Sequence, residues 1–373
     1  MGHAFSHQAM AAWRWYNYVS GQVPPGKQVL RLNLDETSVC LFQGGGRGNV
    51  FVSSKRRLTQ HAPRSVRRCC LTHVGVICDQ TDIQPLLPQV IIGNEATFQA
   101  RAVAALRRAC PPNVTLLRQK SAWNNNAVCA WIVRRIGRAL APYSGRYQPV
   151  LLMDACKCHL PRNVLLACHQ VGIWVVIVPA LLTWLIQPLD THGFQRYKAH
   201  LQEKYQEARI RGGGGVLSIA DFLPCVYSAV RNVLQGTRWS AAFTDDGFGD
   251  HQAGISSRVL VKFNDADRPS APLSRPTDEE LALCFPRRAR VPVALLWRAF
   301  DVPRPPPGPP GLRAPHARAA AAPSCAWGPV PAGGALAAPR EPRTRGEHRA
   351  AASSGAASSS SAVPIALRAP LLD

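Results

Sequence analysis

The chain has 373 residues, with 44 Lys and Arg against 22 Asp and Glu, a formal net charge of +22, and 46% hydrophobic residues. That composition excludes a collagen-like or wholly disordered chain, and the length allows one large or two smaller domains with a buried core. The first 200 residues hold only seven acids (Asp35, Glu36, Asp79, Asp82, Glu95, Asp154 and Asp190) against 23 Lys and Arg, so a polyanion is the first partner to consider.

Residues 1–27 form an aromatic and polar segment that ends in Pro24-Pro25-Gly26. Val29–Asp35 then alternates apolar and polar side chains, as a strand does. Gly44–Gly48 marks a tight turn before a short strand near Val50–Ser53. Residues 47–68 carry seven Arg or Lys and no acid, which reads as a basic loop. Cys70–Cys78 reads as a third strand and residues 95–109 as a helix. Residues 122–141 read as an amphipathic helix with Val128, Ile132, Ile136 and Leu140 on one stripe, stopped by Pro142. Trp123 serves there as a hydrophobic anchor at the helix start. Val150–Asp154 is a short apolar run of the kind found in a strand buried on both faces.

Asn163–Leu189 contains no formally charged side chain and is long enough to span a bilayer. His169, Gln170, Gly172 and Pro179 divide it, so it is read as a helix over 161–170, a buried strand over 173–178 and a loop, with no membrane span. A polar helix-favouring stretch over 191–209 leads to the glycine run 212–215. Ser218–Leu234 is a further amphipathic helix with Ser218 at its N-cap. After residue 301 the chain holds 14 of its 32 prolines and long Ala and Ser runs, a composition expected to be disordered. No charged segment with a following apolar run opens the chain, so its 12 cysteines are expected as reduced thiols in an intracellular protein.

Three acids take informative places in this order. Asp35 ends the first strand, Asp154 ends a later one, and Asp190 lies just beyond the next. A carboxylate at the end of a buried strand needs a partner, because burying an unpaired charge is costly. A divalent cation with oxygen ligands is the usual partner, and paired ions suit phosphoryl displacement. Caps of turns or helices are the bland alternative for each acid taken singly.

At these residues the sequence resembles the DDE-type integrase/transposase domain, in the pogo-like branch of the mariner superfamily related to centromere protein B. The matching stretches are Asn33-Leu-Asp35-Glu36-Thr37, Leu151-Leu-Met-Asp154 with His159, and Val178-Pro179 with Thr183 and Ile186-Gln-Pro-Leu-Asp190, followed by Gly193-Phe194 and Lys198. Thirty-five residues separate Asp154 from Asp190. Trp239-Ser-Ala-Ala-Phe243 and Gly247-Phe248 continue the likeness, which covers roughly residues 29–250.

The resemblance implies an α/β fold, a ribonuclease H-like mixed sheet flanked by helices. It divides the chain into a short N-terminal segment (1–28), the DDE domain (29–250), a C-terminal extension (251–300) and the tail (301–373). It implies two Mg²⁺ or Mn²⁺ ions held by Asp35, Asp154 and Asp190, with Asp35 bridging both and His159 as an auxiliary group. The partner is DNA, held by Lys55, Arg56 and Arg57 of the basic loop and by Arg134, Arg135 and Arg138, in the nucleus; a homodimer stays open. Two positions depart from the family pattern: Ala155 stands where Asn is usual, and Trp184 follows Thr183 where His is usual. Only about 28 residues precede the first strand, too few for the family's DNA-reading helix-turn-helix domains. The alternative is therefore a catalytically inactive, domesticated or truncated nucleic-acid-binding protein.

Cys156, Cys158, His159, Cys168 and His169 also cluster in the sequence. Their C-x-C-H…C-H spacing fits no common structural zinc pattern, so buried thiols and a polar His are expected instead. Glu36 is left out of the site, since strand alternation turns it away from Asp35.

Overall fold

A computed structural model describes residues 3–40, 50–51, 57–58, 70–96, 98–213, 217–250, 254–263, 273–286 and 289–298. Its strands are β1 (Gln28–Cys40), β2 (Val50–Phe51), β3 (Arg57–Leu58), β4 (Cys70–Cys78), β5 (Gln89–Asn94), β6 (Val114–Gln119), β7 (Tyr147–Asp154) and β8 (Trp174–Val178). Its helices are α1 (His3–Gly21), α2 (Ala100–Leu106), α3 (Asn126–Leu140), α4 (Arg162–Gln170), α5 (Thr183–Ile186), α6 (Phe194–Arg211), α7 (Ile219–Ala229), α8 (Ser240–Asp245), α9 (Ser257–Leu260), α10 (Asp278–Ala282) and α11 (Val293–Arg298). The tail after residue 300, most of the basic loop, Lys55 and Arg56 lie outside the described residues.

β1 organises the sheet. It pairs parallel with β7 as far as Asn33, which faces Leu152, and antiparallel with β4, Asp35 facing Gly75; because the β4 ladder continues to Cys40, Asp35 lies inside the strand and not at its end as expected. The strand order is β6-β5-β4-β1-β7-β8. β1, β4 and β5 form an antiparallel meander, β7 and β8 continue it in parallel beyond β1, and β6 adds a parallel strand at the β5 edge. A three-stranded meander whose first strand is flanked by two parallel strands, each delivered through a helix, is the ribonuclease H-like arrangement. The fold is α/β, as expected. β8 (Trp-Val-Val-Ile-Val) is buried at every position and packs against both α1 and α4, so an alternating pattern was not required of it. Asn163–Leu189 is thus split between α4, β8 and short turns, and no helix among the described residues is long and apolar enough to cross a membrane.

Three elements depart from the sequence reading. β5 and β6 are six-residue strands, each with only three large apolar side chains, on either side of the expected 95–109 helix, which shrinks to α2; apolar runs that short carry no decisive period. Residues 3–21 are a helix rather than an unassigned segment. Ala9, Ala12, Trp13, Tyr16 and Val19 recur at helical spacing on a fully buried face. That face meets the C-terminal residues: Trp13 packs at a tilt against Phe263, Trp15 meets Phe285 edge-on and Trp297 at a tilt, and Tyr16 meets Phe248 edge-on. α1 and the described residues between 256 and 297 therefore contribute to the same core as the sheet. The helix expected over 218–234 runs as α7, with Ser218 Oγ accepting from Asp221 N at 3.3 Å, and then continues as a π-helical turn to Gln235.

Gly247 shows why the Gly247-Phe248 pair stands where it does. Its φ is +88°, and a Cβ there would lie 2.3 Å from Trp13 Nε1, the atom that donates to Asp246 O at 2.9 Å. Gly247→Ala is expected to cost at least about 2 kcal/mol, by backbone strain and loss of that bond, measured by urea denaturation.

His73 on β4 is fully buried with its ring 5.1 Å from that of Tyr197, and burial pushes its pKa down to about 4. The unfolded chain therefore takes up a proton near pH 6.5 that the folded chain refuses until near pH 4. Stability is complete above pH 6.5 and falls as the pH drops toward 4, by up to about 3 kcal/mol. In His73→Leu the acid limb of stability against pH should lose the slope of one proton.

Candidate active site

Asn33 lies on β1 two residues before Asp35, so strand alternation puts both on one face. Its side chain is fully buried, and its amide Nδ2 donates to Leu152 O on β7 at 3.0 Å. Its Oδ1 accepts from Leu189 N at 2.8 Å. One side chain thus ties β1 to the strand that ends in Asp154 and to the turn that carries Asp190. That turn, Leu189–Gly193, is π-helical, a local widening often found at functional positions. It is pinned from the far side as well. Thr191 Oγ1 donates to buried Asp246 Oδ2 at 2.6 Å, and Arg258 bridges Asp246 and Leu185 O, the latter at 2.9 Å.

The three aspartates converge through this framework. Asp35 is 6% exposed, Asp154 is half-buried and Asp190 is exposed, so a buried carboxyl forms the floor and two others the rim. Burial raises the Asp35 pKa well above the carboxylate range, and Asp190, Glu36 and Asp154 raise it further in that order. The main charges acting on Asp35 are thus all negative. A buried carboxyl facing three other acids, in a chain of net charge +22, is a donor set suited to divalent cations.

His159 is placed by the turn after β7, where His159 N donates to Cys156 O at 3.0 Å. Its buried ring lies between two carboxylates: Nδ1 is 2.6 Å from Asp154 Oδ1, and Nε2 is 3.1 Å from Glu36 Oε1. Burial disfavours the charged ring, but Glu36 and the bond to Asp154 outweigh it and raise its pKa well above the usual value. Asp154 Oδ1 also accepts from Cys156 N at 3.1 Å, which fixes that carboxylate.

Glu36 is the residue that strand alternation misplaced. It does turn away from Asp35 along β1, yet its carboxylate meets His159 and accepts from Asn124 Nδ2. Nothing local in the sequence signals this, because the 155–160 turn and the segment before α3 reach Glu36 only in the folded chain. The start of α3 differs in a related way. Asn125, accepting from Ala127 N and Val128 N at 3.0 Å, caps the helix, while Trp123 is 77% exposed and anchors nothing. Cys156 and Cys158 also come together, with Sγ atoms 3.2 Å apart; the Cys158 thiol donates to Cys156 and lowers the pKa of Cys156 to about 6.

The basic residues are not gathered here. Arg134 and Arg138 are exposed on α3, and Arg135 stacks over Trp131 at 5.0 Å. Arg135 and Arg138 line a cleft with Pro85, Pro88 and Pro112, and by strand register this cleft lies toward the N-terminal ends of β1 and β7. Arg57 lies on β3 opposite Phe51, with its side chain outside the described residues.

No protein-family model matches the chain, and no curated protein does. Among solved structures it is similar to the Mos1 transposase paired-end complex with left transposon end, at 12% identity and a TM-score of 0.37 over 66% of this chain and 63% of that one. It is also similar to the Mos1 mariner paired end complex with Mn, at 12% identity and a TM-score of 0.36 over 66% and 64%. A pre-cleavage Mos1 transpososome follows at 12% identity and 0.35, over 66% and 64%. The chain thus spans a little under two thirds of those proteins.

Asn33→Ala should cost about 3 kcal/mol in chemical denaturation, because it strands the buried Leu152 O and Leu189 N groups. His159→Asn should cost about 2 kcal/mol, less than a fully buried ion pair because Glu36 and Asp154 keep some contact with water.

Proposed function

We propose that the chain is a DDE-type transposase or endonuclease domain of the mariner superfamily, pogo-like branch, which binds DNA and cuts or joins phosphodiester bonds. The observation that carries this reading is the convergence of Asp35 within β1, Asp154 at the end of β7 and Asp190 in the turn after α5, with no positive charge among the main groups acting on Asp35. Asp35, Asp154 and Asp190 would hold two Mg²⁺ or Mn²⁺ ions, Asp35 shared between them. When bound, such a pair polarises the phosphate and stabilises both the entering and the leaving oxygen of an in-line displacement.

The chain's own residues set the stage for this. Asp35 Oδ1 accepts from Glu36 N at 2.8 Å, and Asp154 is held by His159 and Cys156 N, so two carboxylates are oriented before any ligand arrives. Asp190 sits at the exposed rim, where an extended DNA backbone can approach. Lys55, Arg56 and Arg57, with Arg134, Arg135 and Arg138, supply backbone contacts outside the carboxylate cluster that position the nucleic acid without reading its bases. In this reading the chain would act in the nucleus, with a homodimer as the assembly that would bring two DNA ends together.

The test is nicking and strand transfer on plasmid DNA with Mg²⁺ or Mn²⁺. Activity is expected in the wild-type chain, with a loss of about a hundredfold or more in Asp154→Ala and Asp35→Asn. Absent activity, or activity unchanged by the substitutions, overturns catalysis and leaves a silent DNA binder. Replacing Lys55, Arg56 and Arg57 together by Ala should make the slope of log K against log salt shallower by about 3.

A further inference from the structure

Beyond the aspartate cluster, a second and chemically different set of donors meets behind Asp154. Among the described residues, Glu36, Cys158 and His159 are the set of three metal-ligating side chains whose donor atoms all lie within 4.8 Å of one another. Glu36 Oε1 is 3.1 Å from His159 Nε2 and 3.9 Å from Cys158 Sγ. Donors bound to one tetrahedral zinc ion stand about 3.3–3.6 Å apart, by the usual zinc–oxygen, zinc–nitrogen and zinc–sulfur lengths, so these separations bracket the requirement. Cys156, with its Sγ 3.2 Å from that of Cys158, stands just outside this set.

We propose that Glu36, Cys158 and His159 bind one soft divalent cation, zinc by preference, with Cys156 turning in as the fourth ligand. The donor chemistry separates this site from the aspartates: sulfur and imidazole select zinc, whereas carboxylates alone suit Mg²⁺ or Mn²⁺. The surroundings are those of a metal-bound imidazole. His159 offers Nε2 to the cation while its other ring nitrogen, Nδ1, is held by Asp154 at 2.6 Å, the carboxylate–histidine–zinc relay that fixes ring orientation. Asn124 Nδ2 holds Glu36 in the same way. On binding, the cation takes the place of the protons on Nε2 and the Cys158 sulfur, which leave to solvent. The C-x-C-H spacing lacked a recognisable partner in the sequence because that partner is Glu36, 122 residues from Cys158.

Through His159, the bound cation would hold Asp154 in place, making His159 and Glu36 positioning residues for the proposed aspartate site. Metal binding here does not depend on that site being active. The full chain, stripped with chelator, is titrated with Co²⁺. One equivalent should give a near-ultraviolet sulfur-to-cobalt charge-transfer band and strong visible absorption of tetrahedral cobalt. Zn²⁺ should erase both, and excess Mg²⁺ should not. Cys158→Ser and Cys156→Ser should each weaken the charge-transfer band, the double substitution should abolish it, and Glu36→Gln should lower Zn²⁺ affinity by about tenfold or more. Asp35→Asn and Asp190→Asn should leave the spectrum unchanged. Cobalt bound without the charge-transfer band in the wild-type chain overturns the proposal, whether or not the variants fold. So does a band undiminished in folded Cys158→Ser, one that survives in the folded double variant, or one that disappears in folded Asp35→Asn. Nuclease activity lost in Asp35→Asn with the cobalt spectrum intact would separate the two sites.

Discussion

The side chain of Asn33 holds together the elements that matter most in this molecule. It is buried on the central strand, and its two bonds reach the backbone of β7 and of the turn after α5. Each of those elements carries one of the aspartates within two residues of the bonded atom. Asn33 itself stands two residues from Asp35. The relative position of three carboxyl groups, remote in sequence, is thereby reduced to the geometry of one amide. Two buried hydrogen bonds contribute little net free energy, but a buried amide with its partners removed is costly, so the arrangement is held chiefly by what its loss would leave unpaired.

The same constraint explains why acids are tolerated in so basic a chain. Packing forces Asp35 to the floor of a cluster in which its nearest charges are also negative. Left alone, such a group stays protonated or destabilises the fold. The strain is relieved on one side by His159, which lies between Asp154 and Glu36, and on the other by the exposure of Asp190. The cluster is thus neutralised in part by the protein and left open in part to solvent. The arginines of α3 do not share in this, because they lie toward the opposite ends of the strands.

α1 and the C-terminal helices also serve the site from a distance. Trp13 donates to the backbone of Asp246, and the side chain of Asp246 holds Thr191, next to Asp190. The aromatic layer of Trp13, Trp15, Tyr16, Phe263 and Phe285 therefore buttresses the turn that carries the third acid. A helix formed by residues that lack an acid or a strand motif is one of the supports of the site.

By itself the sequence determined the strands that alternate or run apolar over enough residues, β1, β4, β7 and β8, and Asp154 at the end of β7, although β1 runs past Asp35 to Cys40. These are local properties, set by side-chain period and by the cost of burying a carboxylate. It also determined the cap at Ser218, since a cap is decided within one helical turn, although the Asn125 cap of α3 was missed. The six-residue strands β5 and β6 were illegible because so short an apolar run fits strand or helix equally, and the neighbours that settled the matter lie on another strand. Only the tertiary structure decided the role of Glu36. Alternation turned it from Asp35, but a turn 120 residues away folded His159 and Cys158 against it. Which polar groups share a buried space depends on chain crossings, and no period within one strand encodes those.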